Sequence, residues 1–299
     1  MEKNNFDDIY KSITSSGVEE QLSLLKKKTN LAFILFFVAI VVILFMFKIR
    51  VQFIVTFIGF VFLTGTLMNY IIQSGNYKKS FKELIIGRLV NLYNKDFSFS
   101  ASCGISDFDY RQGHFEIFDR YHSEDLIRGS INDKYDFQMS EVKTEEEEVI
   151  EDSDGNTHIE HNTLFSGVFG IVELQGDMPL QMHIKSNSFI NRYNKDRIEV
   201  DSLEFEKEYD MFATDKVRAM EIFTSELIEE FNKYQEETKR SIEIKVKNNR
   251  LFFRIACGAT FEAPMIKDAL SYEFLQKNYR IIDYPVTIIS KMLENATRS

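Results

Sequence analysis

The densest group of side chains able to do chemistry lies where carboxylates and imidazoles alternate with aromatic residues. Its members are Asp107, Asp109, His114, Asp119 and His122. Carboxylates and imidazoles bind divalent metals and also act as general acids and bases. Acids that alternate with phenylalanine and tyrosine are more typical of an amphipathic surface element. We therefore favour a surface element over a metal site.

A second group of acids and histidines surrounds Asp154-Gly155. Its members are Glu145–Glu148, His158, Glu160 and His161. Asp-Gly favours a two-residue hairpin turn, which would pair residue 153 with 156. The predicted opposite pairs are Ile150 with Ile159, Glu151 with His158, and Glu148 with His161. We expect a solvated β ribbon rather than a metal site, because neighbouring strand residues point to opposite faces.

The other groups capable of catalysis or metal binding are isolated. Cys103 and Cys257 form no C-x-x-C pair, and their small or apolar neighbours favour buried free thiols. The chain has no Walker glycine loop, no G-x-G-x-x-G, no G-x-S-x-G and no H-E-x-x-H. We therefore predict no catalytic residue, no cofactor-binding residue, no metal ligand and no cofactor.

The composition indicates a folded, acidic protein. Hydrophobic residues form 44% of the 299 residues and include 28 Phe and 13 Tyr, which excludes a disordered chain. A net charge of -10 excludes a general nucleic-acid binder, which needs a basic face. Most of the negative charge lies in residues 74–299, so an anionic membrane surface would repel most of that part.

Two apolar segments separated by Lys48-Ile49-Arg50 indicate a transmembrane hairpin. Leu31–Phe47 contains no charged side chain and would be about 26 Å long as a helix, and Val51–Gln73 is longer. One continuous helix would bury both cations in the bilayer at about 2.5–3.5 kcal/mol each. The first segment begins too late for a signal peptide, and a core helix is not apolar on every face. We therefore predict spans at 31–47 and 51–73, with the lipid bilayer as a partner.

Lysines flank this hairpin on one side. They are Lys26, Lys27, Lys28, Lys78, Lys79 and Lys82, whereas the connecting turn carries Lys48 and Arg50. The side richer in Lys and Arg stays in the cytoplasm. We therefore predict that both termini are cytoplasmic, which agrees with reduced cysteines.

The remaining patterns predict an α+β fold in three parts. Residues 1–30 form a cytoplasmic arm of two short helices, broken near Ser15-Ser16-Gly17. Residues 31–73 form the hairpin. Residues 74–299 form a cytoplasmic domain of mostly antiparallel strands with flanking helices.

Within that last domain, alternating apolar residues predict two hairpins and a central strand. The first hairpin pairs residue 131 with 135, the second pairs 246 with 251, and 163–174 is apolar on both faces. The other predicted elements are a stalk helix over 77–93, a strand over 205–212, helices capped by Asp215 and Thr224, and closing helices over 271–283 and 286–296, separated near Pro285.

Several stretches together resemble the bacterial domain-of-unknown-function family 3137. They are Phe118–Val142, Thr163–Leu174, Glu204–Phe231 and Leu251–Ile255. The resemblance covers most of residues 70–295. It implies a bacterial inner-membrane protein with an N-terminal membrane hairpin, a cytoplasmic domain and no established activity. It transfers no functional residue.

We therefore expect a non-catalytic binding or scaffold domain that is tethered to the inner membrane. Its partner would be another membrane or cytoplasmic protein, and not nucleic acid. The alternative is a membrane-bound enzyme or ligand sensor. That alternative needs a cleft in the acidic domain where polar groups converge.

Overall fold

The computed structural model of the chain describes residues 5–48, 53–151, 157–176, 178, 181–188, 196–265 and 268–298. The chain divides into two compact units. The helical unit contains Asn5–Leu89 and Glu262–Leu275, and the sheet unit contains the strands and the last helix from Gln276 onward. The predicted α+β class is confirmed, whereas the predicted domain boundaries stay predictions.

The helical unit is built on two long helices that pack as an antiparallel pair. A short helix, α1 (Phe6–Thr14), precedes α2 (Val18–Lys48) and α3 (Phe53–Phe81). The Thr29 hydroxyl of α2 donates to the Gln73 carbonyl of α3 at 3.1 Å, and Gly59 of α3 lies beside Ile43 of α2. Among the described residues, two helices are long and apolar enough to cross a membrane. The predicted turn between them, residues 49–52, lies outside the described residues.

The N-terminal arm differs from the predicted pair of short helices. The chain does break at Gly17, where φ is +74°. After this break, however, α2 runs without interruption from Val18 into the apolar segment, because no glycine or proline interrupts a run of good helix formers. The first helix packs on Tyr272, whose ring centroid lies 5.0 Å from that of Phe6 and 5.1 Å from that of Tyr10.

The predicted stalk helix continues from α3. A π-helical turn spans Lys82–Ile86 and leads into α4 (Gly87–Tyr93). The Glu262 carboxylate lies 3.2 Å from the ammonium groups of both Lys78 and Lys82. Burial raises the pKa of Glu262, but these two ammonium groups outweigh burial and hold the pKa below its ordinary value. This ion pair fixes the segment before the last helix against the stalk.

The sheet unit contains nine strands among the described residues. They are β1 (Ser98–Ser100), β2 (Arg120–Ile131), β3 (Tyr135–Glu151), β4 (Thr157–Glu173), β5 (Met182–Ser186), β6 (Arg197–Ile198), β7 (Tyr209–Ala213), β8 (Ile242–Lys247) and β9 (Arg250–Ala256). Their spatial order is β1-β2-β3-β4-β9-β8-β5-β7-β6, and every neighbouring pair is antiparallel. The helices of this part are α5 (Asp107–Gln112), α6 (Leu203–Glu208), α7 (Lys216–Ile222), α8 (Ser225–Thr238) and α9 (Tyr272–Arg298).

Both hairpins predicted from alternating apolar residues are confirmed in their register. Ile131 pairs with Tyr135, and Val246 pairs with Leu251. Asparagine and aspartate supply the left-handed turn residues that a tight hairpin needs. These residues are Asn132, Asp133, Asn248 and Asn249, with φ between 53° and 60°.

The Glu-rich ribbon is also found, but its register differs by one residue from the prediction. Observed opposite pairs are Val149 with Ile159, Ile150 with His158, Glu148 with Glu160, and Glu147 with His161. The cause is a β-bulge between Thr144 and Glu145. From Glu145 onward, each residue of β3 pairs one position away from the register that holds up to Thr144. Both registers place an apolar side chain opposite Ile159, which is Ile150 in the prediction and Val149 in the structure. The predicted turn at Asp154-Gly155 lies outside the described residues.

The central strand β4 lies between β3 and β9, and its inner part is buried, as predicted. Gly170 leaves room for the ring of Phe253 on the neighbouring strand, which stacks on Phe137 with centroids 6.2 Å apart. Phe137 in turn stacks on Phe97 at 5.3 Å. These rings form the core of one face of the sheet.

The strand predicted over 205–212 is half wrong. Ser202 caps α6 by accepting a hydrogen bond from the Phe205 amide at 3.3 Å, and the strand begins only at Tyr209. Burial of Phe205 against Phe231, with centroids 5.5 Å apart, fixes this turn of helix. The cap prediction for Asp215 is confirmed, since its carboxylate accepts from the Arg218 amide.

Thr224 occupies the predicted N-cap of α8, but it makes no cap hydrogen bond through its side chain. Its hydroxyl accepts instead from Asn295 at 3.1 Å. Residue 295 belongs to α9, which is one helix and not the two predicted closing helices. Pro285 removes one intrahelical hydrogen bond, a loss of about 3 kcal/mol. Burial of Ile282, Val286 and Ile289 on both sides of the proline offsets that loss.

We predict that Gly170→Ala destabilises the protein by about 1–3 kcal/mol, because the added methyl overpacks the core. Its Cβ would lie 2.2 Å from the Phe253 ring and 2.8 Å from the Gln138 carbonyl oxygen. Urea denaturation of the full-length protein in detergent measures the change. Gly75→Ala is the matched control, because no atom lies within 4 Å of its Cβ position. Equal stability of the two variants would contradict the packing argument.

Candidate functional site

The second face of the sheet is partly covered by α5 and the loop that follows it. The covered part is an aromatic cluster made of Ile105, Tyr110, Phe118, Leu126, Val142, Phe165, Phe169, Ile171 and Phe252. These residues come from α5, its flanking loops and strands β2, β3, β4 and β9. Strands β8, β5 and β7 continue the sheet beyond this cover and carry polar side chains. The candidate site lies there.

Arg254 of β9 lies at the border between the aromatic cluster and the polar side chains. Its Nε donates to Glu243 of β8 at 2.7 Å, and its Nη1 donates to Glu116 of the covering loop. Its guanidinium also lies over the rings of Phe115 and Phe165, 4.4 and 5.2 Å from their centroids. Two carboxylates and two aromatic faces thus surround one cation, an arrangement that suits the planar guanidinium.

The second oxygen of Glu116 is also satisfied. It accepts from the Tyr110 hydroxyl at 2.5 Å and from the Thr144 hydroxyl at 3.0 Å. Burial raises the pKa of Tyr110, and its hydrogen bond to Glu116 raises it further, so the phenol stays protonated and donates. The network therefore joins the covering loop to the sheet with every charged group paired.

His183 extends the network toward the open part of the face. Its Nε2 lies 2.7 Å from the second carboxylate oxygen of Glu243. Burial raises the pKa of Glu243, but the hydrogen bond from His183 and the charge of Arg254 outweigh burial and lower it below its ordinary value. Glu243 is therefore a carboxylate near neutral pH and acts as an acceptor, not as a proton donor.

Lys245 lies two residues from Glu243 on the same face of β8. Its Nζ donates to the His114 carbonyl at 2.7 Å and lies 4.3 Å from the centroid of Phe115. Burial lowers the pKa of Lys245 below its ordinary value, and the negative charges of Glu243 and Glu116 offset this effect only in part. Both of these carboxylates also bind Arg254.

A cleft of about 530 Å³ opens beside this network, between β5, β7 and β8. Its polar lining consists of Gln181, His183, Asp196, Thr214, Lys216, Lys245 and Lys247, and Phe212 supplies an aromatic wall. Three ammonium groups therefore face one carboxylate. The volume falls in the range of small-molecule sites.

The polar lining consists mainly of hydrogen-bond donors. Thr214 supplies the hydroxyl group among the described lining residues. This hydroxyl accepts a hydrogen bond from the backbone N–H of Gln181 at 3.2 Å. The histidine of the cleft, His183, is held by Glu243, an arrangement that also occurs in general bases. The lysines and the amide are groups that bind anions.

The acids and histidines between residues 107 and 122 are not brought together. Asp107 pairs with Arg111 at 2.6 Å, and Asp109 pairs with Arg250 at 3.3 Å. Asp119 accepts from the Glu147 amide at 2.8 Å. No three His, Cys, Asp or Glu side chains converge as a metal site anywhere in the described ranges. His122 pairs with Lys143 across the sheet, and His114 contributes its carbonyl to Lys245.

The histidines of the Glu-rich ribbon stay at its surface. His161 lies 3.7 Å from Glu147, and His158 lies 3.5 Å from Glu160. Of the two cysteines, Cys103 is exposed, so the expectation that it is buried is wrong. It follows the turn after β1, where no element covers it. Cys257 is half-buried, and burial raises the pKa of its thiol, which makes it a poor nucleophile near neutral pH.

The sequence contained one signal for this site that our prediction did not use. The correctly predicted hairpin register places Glu243 opposite Arg254, and alternation places Lys245 and Lys247 on the same face. A charged stripe along one strand was therefore readable. His183 gave no such signal, because β5 joins β8 through a long-range pairing.

The fold and the site define an α+β domain whose sheet carries a cationic cleft, attached to two apolar helices. The model of the family described as "Protein of unknown function (DUF3137)" matches residues 161–293 of this chain. The resemblance noted from the sequence is confirmed over this range, which includes the cleft, Glu243 and Arg254 but not Glu116. No curated protein and no solved structure matches the chain significantly.

We predict that Arg254→Met and Glu116→Gln each destabilise the protein by about 1–3 kcal/mol, because each removes a charged hydrogen-bond partner from a partly buried network. The double variant should cost clearly less than the sum of the two, by about 0.5–3 kcal/mol. Urea denaturation of all four proteins measures this coupling. The matched control is the more exposed pair Arg218 and Glu221, 3.1 Å apart, where coupling should stay below about 1 kcal/mol. Additive losses at Arg254 and Glu116 would contradict the network.

We also predict that Glu243 stabilises the fold in a pH-dependent way. Its pKa is lower in the folded than in the unfolded chain, so its contribution is present above the ordinary value of 4.5. That contribution is lost as pH falls through the folded pKa. The stability difference between the wild type and Glu243→Gln should therefore shrink below pH 4.5. A difference that does not change between neutral and acidic pH would refute this assignment.

Proposed function

We propose that this protein is a bacterial inner-membrane protein with two spans and both termini in the cytoplasm, and that its sheet domain acts by non-catalytic binding. The partners in this proposal are the lipid bilayer and another membrane or cytoplasmic protein. One observation carries it. Two exposed apolar helices are joined to a folded domain whose cleft is lined by lysines.

The exposure of the apolar helices supports the membrane part of the proposal. Large side chains point away from the helix pair, such as Phe45, 61% exposed, and Phe62, 62% exposed. A core helix of a soluble protein would bury such residues against other elements. In water this surface would be a large apolar patch, whereas a bilayer covers it.

The positions of the cations support the orientation. Lys28 and Lys78 lie near the ends of the helix pair that lead to the rest of the chain, whereas Lys48 lies at the opposite end. The end richer in lysine stays in the cytoplasm. Residues such as Lys78 also pair with Glu262, which keeps this end next to a water-exposed part of the chain.

Exposed apolar side chains on the sheet unit support a protein partner. Ile117, 90% exposed, follows Glu116 in the covering loop, and Leu203 and Val217 are exposed at the starts of α6 and α7. Buried apolar residues supply most of the binding energy of protein interfaces, and charged rims supply little. A tether raises the effective concentration of such surfaces for neighbours in the same membrane.

A second candidate is a membrane-bound enzyme or ligand sensor. The pair of His183 with Glu243 and the neighbouring Lys245 favour it, because a carboxylate-bound histidine and a desolvated lysine are common in active sites. The two candidates differ in one outcome, since an enzyme changes the molecule in its cleft and a binding domain releases it unchanged.

The orientation is tested with a membrane-impermeant maleimide. In a Cys257→Ser background, exposed Cys103 should stay unlabelled in intact spheroplasts and react after permeabilisation. In a Cys103→Ser, Cys257→Ser background, Lys48→Cys should react in intact spheroplasts, because residue 48 lies at the opposite end of α2. Labelling of Cys103 from outside would overturn the proposed orientation.

The protein partner is tested by placing a photo-crosslinking amino acid at Ile117 in the full-length protein and irradiating native membranes. We expect a discrete adduct with a defined protein, because an exposed apolar contact site meets the same partner each time. Lys233, exposed on α8, is the control position and should give no such adduct. The absence of adducts at Ile117, Leu203 and Val217 alike would contradict the proposal of a protein partner.

A further inference from the structure

We propose that the cleft between β5, β7 and β8 binds a small molecule through a phosphate or diphosphate group. This inference rests on the proposed binding function and names the ligand chemistry of the cleft. The groups that would hold the phosphate are Lys216, Lys245 and Lys247, with His183 at the border of the cleft.

The charge of the cleft is positive, unlike that of the whole chain. The chain has 46 acidic and 36 basic side chains, yet its cleft gathers three lysines around one aspartate, Asp196. Like charges in one concave surface repel each other, and low-dielectric walls strengthen that repulsion. A bound anion relieves it. A metal cation would be repelled, which excludes a metal as the ligand of this cleft.

Two lysines of the cleft have donors left for an anion. An ammonium group has three N–H donors. Lys245 gives one to the His114 carbonyl. Lys247 has no ion pair within the described part of the chain. These two lysines can therefore donate to an anion with several oxygens.

Lys245 lies in a partly buried environment beside an aromatic ring. Its ammonium lies over Phe115 and is half withdrawn from water, and burial lowers its pKa. The nearest carboxylate of the network, Glu243, is already shared between Arg254 and His183. A multiply charged anion would add to the attraction of Glu243 and Glu116, which oppose the effect of burial on Lys245. A phosphate suits this position better than a single carboxylate, because it offers more oxygens and more charge.

The cleft is larger than a phosphate group, and part of its wall is aromatic. A volume of about 530 Å³ leaves space beyond one phosphate group. Phe212 lines this space, with the Lys185 ammonium 5.2 Å from its centroid. An aromatic wall favours a ligand whose phosphate is attached to an apolar or planar group. The cleft is bounded by three strands, so it fits a small molecule better than a nucleic-acid backbone.

The test uses the full-length protein in nanodiscs of phosphatidylcholine. Pyrophosphate and ADP are titrated by calorimetry, with citrate as an anion that carries carboxylates instead of phosphates. We expect saturable binding of pyrophosphate and ADP. Lys247→Gln should weaken it about tenfold, the usual effect of one lost charge-assisted hydrogen bond. Lys233→Gln, a lysine removed from the exposed face of α8, is the control and should leave the affinity unchanged.

A second arm distinguishes a soluble phosphate from a lipid headgroup. Nanodiscs that contain phosphatidylglycerol are compared with those of phosphatidylcholine. Competition of phosphatidylglycerol with pyrophosphate, lost in Lys247→Gln, would identify a headgroup as the source of the phosphate. Undiminished pyrophosphate binding would identify a soluble ligand. Both outcomes support the phosphate chemistry of the cleft.

Three outcomes overturn the inference. They are no binding of any phosphate compound in either nanodisc, equal binding of citrate and pyrophosphate, and equal weakening by Lys247→Gln and Lys233→Gln. These failures leave the proposed function intact if the maleimide and crosslinking results hold. Conversely, release of orthophosphate from bound pyrophosphate would contradict non-catalytic binding while the inference about the ligand stands.

Discussion

The polar face of the sheet depends on one guanidinium group. Arg254 joins the central strand β9 to β8 through Glu243 and to the covering loop through Glu116. Withdrawing these charges from water costs several kcal/mol per ion, so the arrangement is stable only if every partner is in place. Tyr110 and Thr144 complete the partners of Glu116. The position of the loop follows from this pairing.

The position of the loop in turn defines the cleft. Because Glu116 is fixed, the neighbouring Phe115 ring and His114 carbonyl lie against Lys245. Two carboxylates, Glu243 and Glu116, share the single guanidinium of Arg254, so the network balances part of the lysine charge beside it. The cleft itself places three lysines around Asp196, and a smaller excess of positive charge remains there.

Local patterns predicted a large part of this fold. Alternation and asparagine-rich turns fixed the register of two hairpins, at Ile131 with Tyr135 and at Val246 with Leu251. The two apolar helices followed from composition alone. Local signals failed where tertiary packing decides the structure. Pro285 lies inside one helix, because residues before and after it are buried. The residues before Tyr209 form a helical turn, because Phe205 packs on Phe231.

The candidate site could be predicted only in part. The Glu243–Arg254 pair follows from the hairpin register, but Glu116 and His183 reach it through contacts distant in the sequence. The most conspicuous group in the sequence, from Asp107 to His122, is dispersed into separate ion pairs because its members lie on a helix, a loop and a strand. Density of polar residues along the chain does not measure their proximity in the fold.

The proposed binding of an anion in the cleft of the sheet unit is tested most directly by hydrogen exchange of the full-length protein in nanodiscs, with and without pyrophosphate. We expect slower exchange on ligand addition in the cleft segments 181–186, 212–216 and 245–247, and unchanged exchange in the ribbon over 145–151 and 157–164. Slower exchange in the ribbon, with none in the cleft segments, would contradict it.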